Sequence, residues 1–157
     1  MSTEVLIAII GAALAAITNG IGSAIGVQKG GQAAAGVMSE NPDLFGKLLI
    51  LQALPGTQGI YGFLVAILVM VRLGLLGGTP VDLTEGQGWS FFAATLPMTI
   101  VGPISAIAQA KVAVSAIYLT AKQPDASTKG MTLTAMVETY AILALLASIL
   151  LVYGISL

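Results

Sequence analysis

Residues 130–157 read GMTLTAMVETYAILALLASILLVYGISL. At 1.5 Å per residue, an apolar run of this length crosses the ~30 Å hydrocarbon core of a bilayer as a helix. Glu138, within Met136-Val137-Glu138-Thr139-Tyr140, is its one acidic or basic residue. Counted from Gly130 it lies roughly 12 Å in, near the midplane. An acidic side chain there costs about 2.5–3.5 kcal/mol on insertion scales, so its presence reads as an ion or proton site. Glu is too short to reach the interface from that depth, and no basic residue stands level with it.

The rest of the composition agrees with a membrane chain. Of 157 residues, 57% are hydrophobic and 8% charged, with a mean hydropathy of +0.97, whereas a soluble domain carries about 25% charge. A net charge of −1 without a basic cluster excludes nucleic acid as a partner. With no Cys and no His, disulfides, zinc sites and histidine relays are excluded, and any chemistry falls to carboxylate, amide and hydroxyl oxygens. The N-terminal MSTEV lacks the positive region of a signal peptide, so the apolar run behind it is expected to stay as a first membrane helix.

Four apolar segments are expected as transmembrane helices, at about 5–27, 48–76, 91–121 and 130–157. They divide the chain into a first hairpin (1–76, with a link at 28–47), an external loop (77–90) and a second hairpin (91–157, with a link at 122–129). Lys29, Lys47, Lys111, Lys122 and Lys129 gather at the two links, while Glu4, Asp82 and Glu85 lie at the other side with Arg72 towards it. Lysine bias near helix ends predicts cytoplasmic links and both termini outside. Residues 77–90 read as a turn-rich loop with an interfacial Trp89.

The two hairpins are copies. A gapless shift of 82 pairs Gly20, Ser23, Ala24, Ile25 and Lys29 with Gly102, Ser105, Ala106, Ile107 and Lys111, and pairs Pro42, Asp43, Lys47, Leu51, Ala53 and Thr57 with Pro124, Asp125, Lys129, Leu133, Ala135 and Thr139. Two spans per copy make the halves parallel in the membrane, unlike inverted-repeat transporters. Glu138 falls opposite Gly56, and Gln109 opposite Val27, so the polar groups form one site per chain. Helix 1 carries two small-residue rows, Gly22-Gly26-Gly30-Ala34 and Ala16-Gly20-Ala24. Such rows let backbones approach closely in lipid, and two of them suit a helix gripped on both flanks, as on the inner wall of a ring of identical chains.

Leu54, Thr57, Gln58 and Tyr61 share one helical face at about the depth of Glu138. Pro55 has no N–H, which frees the Leu51 carbonyl, and Gly56 loosens the turn. Helix 3 adds Gln109. A proton carrier needs only a carboxyl in an apolar pocket, whereas a dehydrated hard cation needs several oxygens, and Na⁺ with one carboxylate is neutral overall. The set therefore favours Na⁺ over H⁺, with Li⁺ as a competitor.

LPGTQGIYG at 54–62, ISAIAQAK at 104–111 and MVETYAIL at 136–143 resemble the membrane rotor-ring proteolipid (c or K) subunit of V-type ATPases, above all its bacterial sodium-pumping form. The resemblance implies an all-α membrane protein of four helices assembled into a homo-oligomeric ring. It implies Na⁺ ligands at the Leu54 carbonyl, Thr57, Gln58, Gln109 and Glu138, with Tyr61 bonded to the carboxylate, and H⁺ as the alternative cargo. It also implies a static membrane subunit with half-channels and an arginine, central-stalk subunits at the cytoplasmic links, surrounding lipid, and a bacterial plasma membrane. The chain lacks a G-x-x-x-x-G-K-[ST] loop and so is not the ATPase itself. Small multidrug exporters also combine four helices with one buried Glu, but the parallel duplication, the oxygen-rich face and the lack of an aromatic cage argue against that class. A purely structural scaffold leaves Glu138 unexplained.

Overall fold

Apolar helices that satisfy their own backbone in lipid make up nearly the whole computed structural model, which describes residues 2–78 and 80–157. Met1 and Thr79, which fall in the predicted first hairpin and external loop, lie outside those residues. Helix α1 is Thr3–Met38. The second span joins α2 (Phe45–Ala53) to α3 (Thr57–Arg72) through a 3₁₀ turn at Leu54–Gly56. Helix α4 is Glu85–Lys122 and α5 is Ser127–Gly154. Four spans are long and apolar enough to cross a membrane.

The boundaries differ from those expected, each for a local reason. Helix α1 does not stop near Val27, because Gln28–Met38 holds no proline and its Gln, Lys and Ala residues carry the helix past Gly30, Gly31 and Gly36, and the predicted 28–47 link shrinks to Ser39–Asn41 before a 3₁₀ turn at Pro42–Leu44. Proline disfavours helical geometry in the residue before it. Asn41 (φ −140°, ψ 85°) and its repeat mate Gln123 (φ −140°, ψ 84°) duly leave the helix in the same way. The second link is reduced to Gln123 and a 3₁₀ turn at Pro124–Ala126, with α5 starting at Ser127 instead of Gly130. The second span ends at Arg72, four residues short of Leu76, where Gly74 at φ 69° permits a Schellman closure from Leu75 N to the Met70 carbonyl (3.1 Å) and from Gly74 N to Val71 (3.0 Å). The predicted 77–90 loop turns helical at Glu85, because Thr84 and Gln87 form a capping box.

The most extensive contact runs along α1 and α4, with α3 and α2 against α1 on one side and α5 against α4 on the other. Apolar burial falls into three clusters. One around Phe91, Val69 and Val152 closes the terminal end, one around Leu48, Leu51 and Ile117 closes the link end, and a middle one joins Val65, Met98 and Ala141.

Helix α4 contains two prolines. Pro103 removes the donor that would serve the Thr99 carbonyl, and the Thr18 hydroxyl lies 3.0 Å from that oxygen. One residue on, the fully buried Asn19 donates to the Ala15 and Met98 carbonyls at 2.7 and 3.0 Å. Its Oδ1 finds no hydrogen-bond donor among the described residues and rests over Gly102, where an added Cβ would lie 1.6 Å away. Gly22 and Gly26 meet Pro103 and Pro55 so closely that a Cβ on either would come within 2.6 Å. This row of small residues is therefore spent inside the chain, and it supplies one of the two gripped flanks expected of helix 1. Gly20 and Ala24 of the other row are exposed.

Gly102→Ala should consequently lower stability by about 1–3 kcal/mol, read as a fall in the thermal unfolding midpoint in detergent. Adding Asn19→Ala should recover part of that loss. A Gly102→Ala protein as stable as the parent would show that the Asn19 wedge does not set this packing.

Candidate functional site

Between the middle and link-end apolar clusters lies the polar layer. Pro55 ends α2 in a 3₁₀ turn, after which α3 starts and puts Thr57, Gln58 and Tyr61 on the side facing α4 and α5. Gln58 and Gln109 are fully buried; Leu54, Thr57, Tyr61 and Glu138 are half-buried.

Each carboxylate oxygen of Glu138 has its own donor. The Tyr61 hydroxyl donates to Oε1 and Gln109 Nε2 approaches Oε2 at 3.5 Å. Gln109 Nε2 also donates to the Thr134 carbonyl, one turn before Glu138, at 3.2 Å. Gln58 Nε2 donates to Gln109 Oε1 at 2.7 Å and lies 3.5 Å from Ser105 Oγ. With both its N–H groups so directed, Gln58 turns Oε1 towards Thr57, whose Oγ1 is 3.4 Å from it and 3.0 Å from the Leu54 carbonyl. The six residues singled out in the sequence are thus one connected group: Leu54, Thr57, Gln58 and Tyr61 from the second span, Gln109 from α4 and Glu138 from α5.

The arrangement offers five oxygens of the kind a hard cation takes: the Leu54 carbonyl, Thr57 Oγ1, Gln58 Oε1, Gln109 Oε1 and a Glu138 carboxylate oxygen. Amide and carbonyl oxygens have two lone pairs, so accepting a hydrogen bond leaves one free. Without an ion, the same groups satisfy one another, as buried polar atoms must.

Ser105, read in the sequence only as the repeat mate of Ser23, joins the site as well. It is 5% exposed, meets Gln58 and donates to the Val137 carbonyl at 3.2 Å. Its position one helical turn before Gln109, within ISAIAQAK, is the signal that places it on the same face. Its repeat mate Ser23 accepts from Gly59 N at 2.8 Å, bracing the turn after Pro55. Around the site the outer surface is hydrocarbon: Ile60, Leu133, Met136, Tyr140 and Leu143 are each at least 60% exposed.

Comparison with known proteins matches the chain twice to the ATP synthase C-subunit family, over residues 10–69 and 92–151. The two matches stand 82 residues apart at both ends, which is the repeat read in the sequence. The V-type sodium ATPase subunit K of Enterococcus hirae is 48% identical over 145 residues, covering 92% of this chain and 89% of the relative. The A-type ATP synthase subunit K of Methanocaldococcus jannaschii is 37% identical over 155 residues, covering 99% of this chain and 66% of the relative. The chain belongs to the ATP synthase C-subunit family, as a four-helix member built from two copies of the family's hairpin.

Proposed function

We propose that this chain is the ion-carrying subunit of a rotary ATPase membrane ring, with Na⁺ as its cargo. The observation that carries the reading is the oxygen set around Glu138: a carboxylate with two amides, a hydroxyl and a backbone carbonyl on three helices. A proton needs one oxygen; this set suits a cation stripped of its water. The names of the two relatives, a sodium ATPase subunit and an ATP synthase subunit, support the same class.

In this mechanism Glu138 binds the ion and its charge is cancelled, so the loaded site can face lipid, where a bare carboxylate is costly. Tyr61 and Gln109 hold the carboxylate between ions. The ion enters from the cytoplasmic side, travels with the rotating ring, and is displaced into an exit channel by an arginine of a static membrane subunit. Central-stalk subunits meet the links at 39–41 and 123–126. Moving one charge against 100 mV costs about 2.3 kcal/mol, small enough for one ATP to move several. The lysines at the links favour a cytoplasmic position for them, with both termini outside, across a bacterial plasma membrane. The protein has no catalytic role of its own, since hydrolysis belongs to a separate soluble head.

Labelling of Glu138 by dicyclohexylcarbodiimide, which attacks a protonated carboxyl, tests the cargo. At constant ionic strength Na⁺ should protect where K⁺ does not; labelling that follows pH alone would assign the ring to protons. Glu138→Gln should abolish transport with the ring still assembled, and undiminished pumping would end the proposal. Gln58→Ala or Gln109→Ala should weaken Na⁺ protection about 10- to 100-fold, as expected for losing one polar contact to a charge. Unchanged protection in both variants would make these amides packing groups only.

A further inference from the structure

The serine of the repeat meets the same step of its partner helix in both hairpins, but with opposite polarity. Ser23 of α1 and Ser105 of α4 are mates under the shift of 82, and both are buried. The same shift carries the Pro55 carbonyl to that of Val137, and Gly59 N to Ala141 N. Along the unbroken α5, Ala141 N is committed to the carbonyl four residues back. Ser105 therefore meets no free N–H there and donates its own proton to the Val137 carbonyl at 3.2 Å. In the first hairpin Pro55 interrupts the span, and Gly59 is the third residue of a helix that starts at Thr57. Its N–H is one of the four that a helix start leaves without a partner, and Gly56, which caps α3, supplies no side-chain bond. Ser23 Oγ takes that N–H at 2.8 Å. The cap of α3 is thus delivered from another span, and glycine at 59 admits it, since an added Cβ would lie 3.2 Å from Ser23 Cβ.

We propose that Ser23 and Ser105 are positioning residues of the ion site. Ser23 seats the first turn of α3, which carries Thr57 and Gln58, and Ser105 fixes which way the Gln58 amide is turned, so that the affinity of the chain for Na⁺ depends on both hydroxyls. The inference rests on the Na⁺ reading of the site and adds to it two residues that touch no ion.

A hydroxyl has one proton to give. With that proton on the Val137 carbonyl, Ser105 faces Gln58 only as an acceptor, and Gln58 Nε2 lies 3.5 Å from it. The Thr134 carbonyl, which also only accepts, holds Gln109 by its Nε2. Gln109 Oε1 is left to take the other N–H of Gln58, at 2.7 Å. Turned end for end, the Gln58 amide would set its oxygen against that of Gln109 and against a hydroxyl whose proton is already used. Gln58 Oε1 is therefore kept on the side of Thr57 Oγ1 and the Leu54 carbonyl, where the oxygens for a cation gather. Two backbone carbonyls in the turn of α5 before Glu138 thus set the polarity of the whole group, one through Gln109 and the other through Ser105. Without Ser105 Oγ, one buried N–H of Gln58 is unpaired in the rotamer that the ion needs. Without Ser23 Oγ, Gly59 N is unpaired and the turn behind Gln58 loses its cap. A buried donor left unpaired costs more than the bond itself was worth.

The test reads protection of Glu138 by Na⁺ against dicyclohexylcarbodiimide, on the full chain in membranes. Ser105→Ala and Ser23→Ala should each raise the Na⁺ concentration for half protection about 5- to 10-fold. The labelling rate without Na⁺ should stay at the parent value, because Tyr61 and Gln109 still hold the carboxylate. Ser105→Thr keeps the hydroxyl, and its added methyl has room in a groove of about 290 Å³ lined by Val101, Ile104, Ala108 and Tyr140; it should restore the parent value. In a Gln58→Ala background, Ser105→Ala should bring no further loss, since the amide that it orients is gone. Unshifted protection in Ser105→Ala, no recovery in Ser105→Thr, or a full further loss on top of Gln58→Ala would overturn the role of Ser105, and unshifted protection in Ser23→Ala would overturn that of Ser23. A Na⁺-free labelling rate that moves as far as the protection does would reduce both serines to general packing and overturn the proposal. A parent chain that Na⁺ leaves unprotected would overturn the cargo reading and this inference together, whereas a protected parent with unshifted variants would overturn the inference alone.

Discussion

A carboxylate placed in hydrocarbon must draw its partners from the protein, because neither lipid nor bulk water supplies them at that depth. This constraint organises the middle of the molecule. Glu138 projects from α5 among exposed apolar side chains, and the two donors that meet it, Tyr61 and Gln109, come from other helices. Gln109 is then held by Gln58, Gln58 by Ser105, and Ser105 by the backbone beside Glu138. The polar residues close a circuit across three helices, so each amide is oriented by its neighbour. Oxygens are left directed at one place in a layer bounded above and below by apolar clusters.

Proline does comparable work at two levels. Pro55 interrupts the second span with a 3₁₀ turn and sets the start of α3, so that Thr57 and Gln58 begin a fresh helical turn beside the break. Pro103 leaves a carbonyl on α4 that Thr18 of α1 satisfies, and Gly22 packs against the ring of the same proline. In lipid, where apolar surface gives no drive for helices to associate, these backbone contacts through glycines and freed carbonyls are what fasten α1 to α4. The duplication reuses the scaffold but not the chemistry, since the second Glu and the second Gln are replaced by Gly56 and Val27.

Much of the fold and nearly all of the site are legible in the sequence. The four spans follow from hydropathy, the parallel hairpins from an 82-residue repeat that survives without a gap, and the site from Glu138 together with the spacing of Leu54, Thr57, Gln58 and Tyr61. Helix ends are less legible. Hydropathy marks where a chain is apolar, not where it is helical, so it does not reveal the polar extension of α1 to Met38 or the capped start of α4 at Glu85. Ser105 is hidden for another reason: a lone serine in a membrane helix usually bonds its own backbone, and only the approach of Gln58 makes it part of a site.

The sequence by itself determined the class of molecule, the repeat, and which residues bear oxygen near the midplane, because these depend on composition and on periodicity along one chain. The tertiary structure alone decided which small residues are spent within the chain and which remain on its flanks. Gly22 and Gly26 meet prolines of other helices, while Gly20 and Ala24 stay exposed. Two rows of small residues on one helix cannot be told apart until the rotation of that helix against its neighbours is fixed, and that rotation is set by Asn19, Thr18 and Pro103 acting across the pair.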